Sequence, residues 1–240
     1  MLHIVQFSGG AASAYVAKLV AEENHGKTIL LFHDTKAEHP DAYRFRRQVA
    51  KYIGLPITEA SDGRDLWQVI EDNNCLPSDR IPFCSEILKI NPAKKFYKTL
   101  NEPYTLYNGF GVFEWNRVLK ARLWAQIDGY QTRSPLCDRM ITDGEVKRVI
   151  RDEWKICLPQ PYQYLQHNNC IPCFKGGKGH FLKVWKHYPE EFLKAIEMEK
   201  EIGYTVFKDK CLAELAERWA KGLDQEELEM ECAVPCMCAL

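Results

Sequence analysis

No stretch of this sequence approaches the roughly 20 consecutive apolar residues that cross a bilayer as a helix, so no membrane partner is expected. Net charge is nearly missing as well. The 32 Lys and Arg residues face 33 Asp and Glu, leaving −1. That excludes a global basic field, and any contact with nucleic acid needs a local patch. The opening residues Met1-Leu2-His3-Ile4-Val5-Gln6-Phe7 lack the basic start, apolar stretch and small-residue cleavage site of a secretory signal. A cytoplasmic location is expected from this. Internal repeats and low-complexity tracts are also absent, which excludes a repeat array.

What is present suits a packed enzyme-sized domain. A hydrophobic fraction of 46% with 12% aromatics fills a core and sets disorder aside. A length of 240 residues fits one large domain, or a core with a smaller appendage. Ten cysteines are many for a compartment where disulfides are rarely kept. Cys170 and Cys173, and then Cys232, Cys236 and Cys238, form two tight clusters. Such spacing points to metal or redox chemistry rather than to a disulfide framework. Cys75, Cys137, Cys157 and Cys211 read as small core residues.

The first third alternates strand and helix patterns. Strands are expected over 2–7, 28–33 and 56–60, with helices over 11–23 and 40–53, the second closed by Gly54. Strand-helix-strand-helix-strand demands parallel pairing through right-handed crossovers. The fold class is therefore α/β, a doubly wound parallel sheet. Further on, a helix is expected over 85–100, interrupted at Pro92, a strand over 104–108, and helices over 114–127 and 143–154. Pro159 and Pro161 mark a boundary. Residues 1–158 then form the α/β core, and residues 159–240 a smaller, mainly helical, Cys-rich region with helices over 181–187 and 190–202.

Ser8-Gly9-Gly10-Ala11-Ala12-Ser13 lies between the first strand and the first helix, where ligands gather in an open parallel sheet. Two glycines let backbone N–H groups approach a phosphate. Ser8 and Ser13 add hydroxyls, and the helix presents its positive end. The loop lacks the Lys of a Walker motif and the spacing of a dinucleotide fingerprint. Taken alone, it is equally an ordinary tight turn. Farther along, Asp34, Thr35 and Glu38 follow the second strand, Cys84 and Lys89 sit in Phe83-Cys84-Ser85-Glu86-Ile87-Leu88-Lys89-Ile90-Asn91-Pro92, and Glu114 and Arg117 follow Asn108-Gly109. Each has a plain alternative: Asp34 as a helix cap, Lys89 as a surface lysine, and Glu114 with Arg117 as an ion pair on one helix face.

In this order the segments resemble the PP-loop ATP pyrophosphatases, whose signature is Ser-Gly-Gly-x-Asp-Ser. The resemblance is to the branch that contains phosphoadenosine-phosphosulfate reductases and the ATP pyrophosphatases of DNA phosphorothioation. It also takes in His167-Asn168-Asn169-Cys170-Ile171-Pro172-Cys173-Phe174-Lys175-Gly176-Gly177. It implies an adenine nucleotide alpha hydrolase-like fold in which Ser8 to Ser13, with Asp34 and Thr35, bind ATP. Lys89, Arg117 and Glu114 would then act at the phosphates, with Mg²⁺. One departure stands out: Ala12 occupies the place of the acidic residue, so any role of that residue toward magnesium is filled elsewhere or absent.

Cys170 and Cys173 with Cys232 and Cys236 supply four thiolates for Zn²⁺, with an iron–sulfur cluster as the rival and sulfur carriage the third option. Cys84, at a helix start that favours thiolate, and Cys238 are the candidate carriers. Glu231-Cys232 is similar to the reductases' terminal Glu-Cys segment, but no His follows, which argues against a standard sulfate-assimilation reductase. The expected function is adenylation of an acceptor, with release of pyrophosphate, for sulfur incorporation into DNA. A cysteine desulfurase would be the sulfur-donating partner. The alternatives are an adenylyl-sulfate reductase using a tail cysteine, and a nucleotide-binding adaptor without catalysis. DNA, RNA and small molecules stay open as acceptors, and a homodimer is among the assemblies left open.

Overall fold

The computed structural model of the chain describes residues 1–24 and 26–230. Cys232, Cys236 and Cys238 lie outside the described residues. The chain runs β1 (Leu2–Gln6), α1 (Ala11–Glu23), β2 (Thr28–Phe32), α2 (Pro40–Ile53), β3 (Ile57–Glu59) and α3 (Leu66–Asn73). It continues through α4 (Phe83–Ser85), a π-helical stretch (Glu86–Ile90), α5 (Asn91–Tyr97), β4 (Tyr104–Tyr107), α6 (Trp115–Asp128), β5 (Gln131–Arg133) and α7 (Pro135–Asp138). Then follow α8 (Asp143–Arg148), a second π-helical stretch (Val149–Glu153), a 3₁₀ turn (Gln160–Gln163), α9 (Lys178–His187), α10 (Pro189–Ile202), α11 (Leu212–Ala220) and α12 (Gln225–Met230). No described helix is long and apolar enough to cross a membrane.

The five strands form one parallel sheet in the order β3-β2-β1-β4-β5. Its central strands are mostly apolar because helices cover both faces. Side chains alternate across the sheet. Val5, Leu30 and Tyr107 pack with Val16, Phe45 and Val146 of α1, α2 and α8. Ile4, Leu31 and Leu106 pack on the other side with Phe96 and Tyr97. Each such side chain contributes about 1.5–3 kcal/mol on burial. A further core joins Trp67, Ile70 and Leu88 to Phe181, Phe192 and Trp219, so residues before and after position 158 share one apolar interior.

Helix ends follow their local chemistry. Pro40 opens α2, where its missing N–H costs nothing, and Gly54 closes it at φ +80°. Pro92 does not interrupt the helix as expected. The Glu86–Ile90 stretch takes up the wider π spacing just before it, which accommodates the ring. Asp34 is not the cap of α2 either. The His39 side chain accepts the Asp41 N–H there, at 3.1 Å. Several elements go unanticipated by periodicity, among them α7, α11 and α12. α3 is short, though Asp65 and Gln68 form a capping box, and β5 is a polar three-residue edge strand.

Candidate active site

In the strand order 3-2-1-4-5 the winding reverses between β1 and β4, and the crevice beyond their carboxyl ends is the place for a ligand. Two loops meet there. After β1, Gly9 takes φ +80°, a left-handed conformation that suits glycine, and Gly10 leads into α1 without a side-chain cap. After β4, Gly109 lies so close that a β-carbon on it would stand 2.9 Å from the Ser13 nitrogen and 3.0 Å from the Ala12 carbonyl carbon.

The serines of the loop are turned toward each other. Ser8 Oγ donates to Ser13 Oγ at 3.2 Å, and Ser13 Oγ donates to the Gly10 carbonyl at 2.9 Å. Two residues from the far end of the chain complete the turn. Asn168 Nδ2 donates to the Gly9 carbonyl at 3.1 Å, and the Ala11 N–H donates to the Tyr162 hydroxyl at 2.9 Å. Burial pushes Tyr162 up to about 12 against the pull of the Ala11 and Asn168 amides. It therefore keeps its phenolic proton at neutral pH.

Beneath Gly9 lies Arg46, a residue the sequence reading missed. Its guanidinium carbon stacks 3.6 Å from the Phe32 ring centre and 4.1 Å from that of Tyr43, and it pairs with Glu38. Both side chains are almost wholly buried, 2% and 4% exposed. An Arg in such a place requires a partner. Burial pushes the Glu38 carboxyl up, while Arg46 and Lys89 pull it back. Lys89 also bears on His33, which burial, aided by that lysine, lowers to about 4. Asp34 Oδ1 accepts from the Tyr43 hydroxyl (2.5 Å) and the Lys36 N–H (2.9 Å).

A narrow cleft opens beside this group, lined by Thr35, Cys84, Ser85, Lys89, Cys170 and Cys173 among others. Cys170 is held next to the strand end. It bridges Glu38 in antiparallel fashion, and Thr35 Oγ1 lies 3.3 Å from its sulfur. The Cys173 N–H donates to His180 Nε2 at 2.9 Å. Burial lowers His180 to about 4, so this nitrogen stays an acceptor at neutral pH. On the other flank, Glu114 pairs with Arg117 and accepts the Gly111 N–H at 2.7 Å. Arg117 also lies over Phe110, 4.3 Å from its ring centre. His167, held below its ordinary range by burial, feels both charges.

The structure thus places Lys89, Asp34 and Thr35 on one side of the Ser8–Ser13 loop and Glu114 with Arg117 on the other. Cys84 shares the cleft with Cys170 and Cys173. Among the described residues, no group of three His, Cys, Asp or Glu is arranged to hold a metal ion. Two of the four expected ligands, Cys232 and Cys236, lie outside that range, and the described residues alone do not make a zinc or iron–sulfur site. The same observation, with Ala12 in the loop, leaves magnesium no described cage of protein carboxylates.

Over 201 residues the chain is 25% identical to "Uncharacterized protein MJ0973" of Methanocaldococcus jannaschii, covering 82% of this chain and 47% of that protein. Over 60 residues it is 43% identical to "Uncharacterized nin region protein ORF290" of Escherichia phage lambda, covering 24% of this chain and 21% of that one. The chain spans about half or less of the length of these relatives. Residues 3–109 match the model of the phosphoadenosine phosphosulfate reductase domain. The matched segment contains the β1 loop, the β2 end and Lys89. It ends at Gly109, where the second loop meets the first. Residues 3–109 of this chain are thus similar to the phosphoadenosine phosphosulfate reductase domain.

Proposed function

We propose that the chain is an ATP pyrophosphatase that adenylates an acceptor for sulfur incorporation, with DNA as the acceptor and phosphorothioate as the outcome. The observation that carries the nucleotide half is the cradle at the switch point. There Gly9 at φ +80° and the start of α1, where Gly10 offers no side-chain cap and the Ala11 N–H meets the Tyr162 hydroxyl, face the crevice closed by Gly109. A helix N-terminus with glycine-rich backbone suits a pyrophosphate. In this reading Asp34 and Thr35 lie toward the nucleoside, while Lys89 and Arg117 offset charge that builds on the phosphates. Magnesium arrives with the phosphates, which suits its preference for substrate oxygens and water. An acceptor oxygen attacks the α-phosphorus, the bond to the β-phosphate oxygen breaks, and pyrophosphate leaves. A persulfide carried on Cys84 and supplied by a cysteine desulfurase then attacks the DNA phosphorus whose oxygen was adenylated, through its outer sulfur, and displaces AMP. An added thiol, such as free cysteine, cleaves the S–S bond by exchange and releases the phosphorothioate. The ordered motifs shared with phosphorothioation enzymes support DNA as the acceptor.

Incubation with ATP, Mg²⁺, duplex DNA, a cysteine desulfurase and cysteine is expected to release pyrophosphate and AMP in equal amounts. Lys89→Ala should lower that rate about 100-fold, the usual cost of losing one transition-state charge partner. Release of inorganic phosphate alone, or no turnover with all components present, defeats the reading. The family match favours a second reading, reduction of an adenylyl sulfate by a tail cysteine. Sulfite release from phosphoadenosine phosphosulfate with thioredoxin, lost in Cys232→Ser, would establish that one instead.

A further inference from the structure

α6 carries large apolar side chains on its outer side as well as its inner one, with Asn116, Lys120 and Gln126 between them on the outside. Val118, Ala121 and Ala125 are buried toward Phe110 and the sheet. The opposite side exposes Trp115 (46%), Leu119 (59%), Leu123 (56%), Trp124 (52%) and Ile127 (62%), and Phe113 just before the helix is 94% exposed. Trp115, Leu119, Leu123 and Ile127 recur every fourth residue and form one continuous ridge. A large apolar ridge on the outer side of a helix is ordinarily covered.

We infer that this outer face of α6 is a homodimer interface. Three observations favour a second copy of this chain as its occupant. The first is area. Phe113, Trp115 and Trp124 leave on the order of 400 Å² in water, given about 150–250 Å² for a whole aromatic side chain. The aliphatic members bring the patch close to the roughly 800 Å² per partner of a stable interface. Monomers rarely expose apolar patches above a few hundred Å².

The second is charge. Arg117 pairs with Glu114, Arg122 with Asp138 and Arg139 with Glu23. The arginines around the patch are thus neutralised within the chain. A nucleic-acid platform interleaves aromatics with several cations aimed at phosphates, and here the three arginines hold acidic partners of the same chain, with Lys120 exposed among the apolar side chains. The third is shape. A four-residue ridge fits the groove of an identical helix in the commonest crossing class, and a patch of this kind is self-complementary about a two-fold axis. Leu119 and Leu123 lie at the middle of the ridge and would cross their counterparts there. This inference does not depend on the proposed chemistry.

Sedimentation equilibrium of the full chain at micromolar concentration is expected to give twice the 27.9 kDa chain mass, with little dependence on salt. Combined Leu119→Glu and Leu123→Glu should raise the dimer dissociation constant at least about 100-fold, as central anchors do. Both positions are exposed, so far-ultraviolet circular dichroism and the melting curve should match the parent. A parent that stays monomeric overturns the inference, as does a folded double variant that dimerises like the parent. A monomeric parent that binds single-stranded DNA, with binding lost in the double variant, overturns it too and gives the face to nucleic acid.

Discussion

Gly9 rests directly on Arg46. A β-carbon at Gly9 would stand 2.8 Å from both Cγ and Cδ of that side chain, and the arginine has little room to retreat. Glu38 holds its end, and the Phe32 and Tyr43 rings bracket the guanidinium. Gly9→Ala therefore combines left-handed strain with a contact that must be relieved. A stability loss of about 1–3 kcal/mol is expected, together with at least tenfold weaker ATP binding. Thermal unfolding and nucleotide titration measure the two effects, and unchanged ATP affinity would rule out the cradle.

The Arg46–Glu38 pair lies out of water, where removing one partner strands the other. Arg46→Met should cost about 3–5 kcal/mol, read as a lower urea midpoint. Adding Glu38→Gln to that variant should recover part of the loss, because no bare carboxylate remains. A double variant no more stable than Arg46→Met would mean that packing, not charge, sets the cost.

Tyr162 keeps its proton while its oxygen accepts the Ala11 N–H. That leaves its O–H to donate toward an anion in the crevice. Tyr162→Phe is expected to weaken pyrophosphate and ATP binding about tenfold, the worth of a hydrogen bond to a charged group, with the far-ultraviolet spectrum unchanged. Equal affinity for pyrophosphate in parent and variant would remove Tyr162 from the site.

His33 gives a pH signature. Its folded value near 4 lies below the ordinary 6.5, so between these limits the unfolded chain binds more protons. Its contribution is complete above pH 6.5, declines as pH falls toward 4, and amounts to on the order of 3 kcal/mol. His180 is lowered in the same way and adds to the same decline, so the comparison must be with a variant. His33→Gln should flatten the stability profile across this window by up to one proton. Identical slopes for parent and variant would show that His33 does not contribute.

The sheet was legible because its central strands are mostly apolar and are closed by Gly, Pro or polar residues. Leu2–Gln6, Thr28–Phe32 and Pro40–Ile53 emerge within a residue of their expected bounds. β5 was not legible, since Gln131–Arg133 is polar and carries no alternation. Within the site, the loop and Lys89 carried local signatures. Arg46 had a usable signal that went unread. It falls on the helical stripe of Ala42, Phe45 and Val49, where a charged residue announces a buried pair. Tyr162 had none, because its contact with Ala11 spans 151 positions and no short-range pattern encodes it. Asn168 stood inside a recognised motif, but its hold on the Gly9 carbonyl became visible only in three dimensions.

Joining Asn168 to Gly9 across 159 positions and Tyr162 to Ala11 across 151 has a consequence for synthesis on the ribosome. The glycine turn leaves the ribosome 151 to 159 positions ahead of its clamps. A nascent fragment ending before Tyr162 can build β1 to β5 but holds that turn without either clamp. Competence for nucleotide thus arrives late, as a check that the chain has closed on itself.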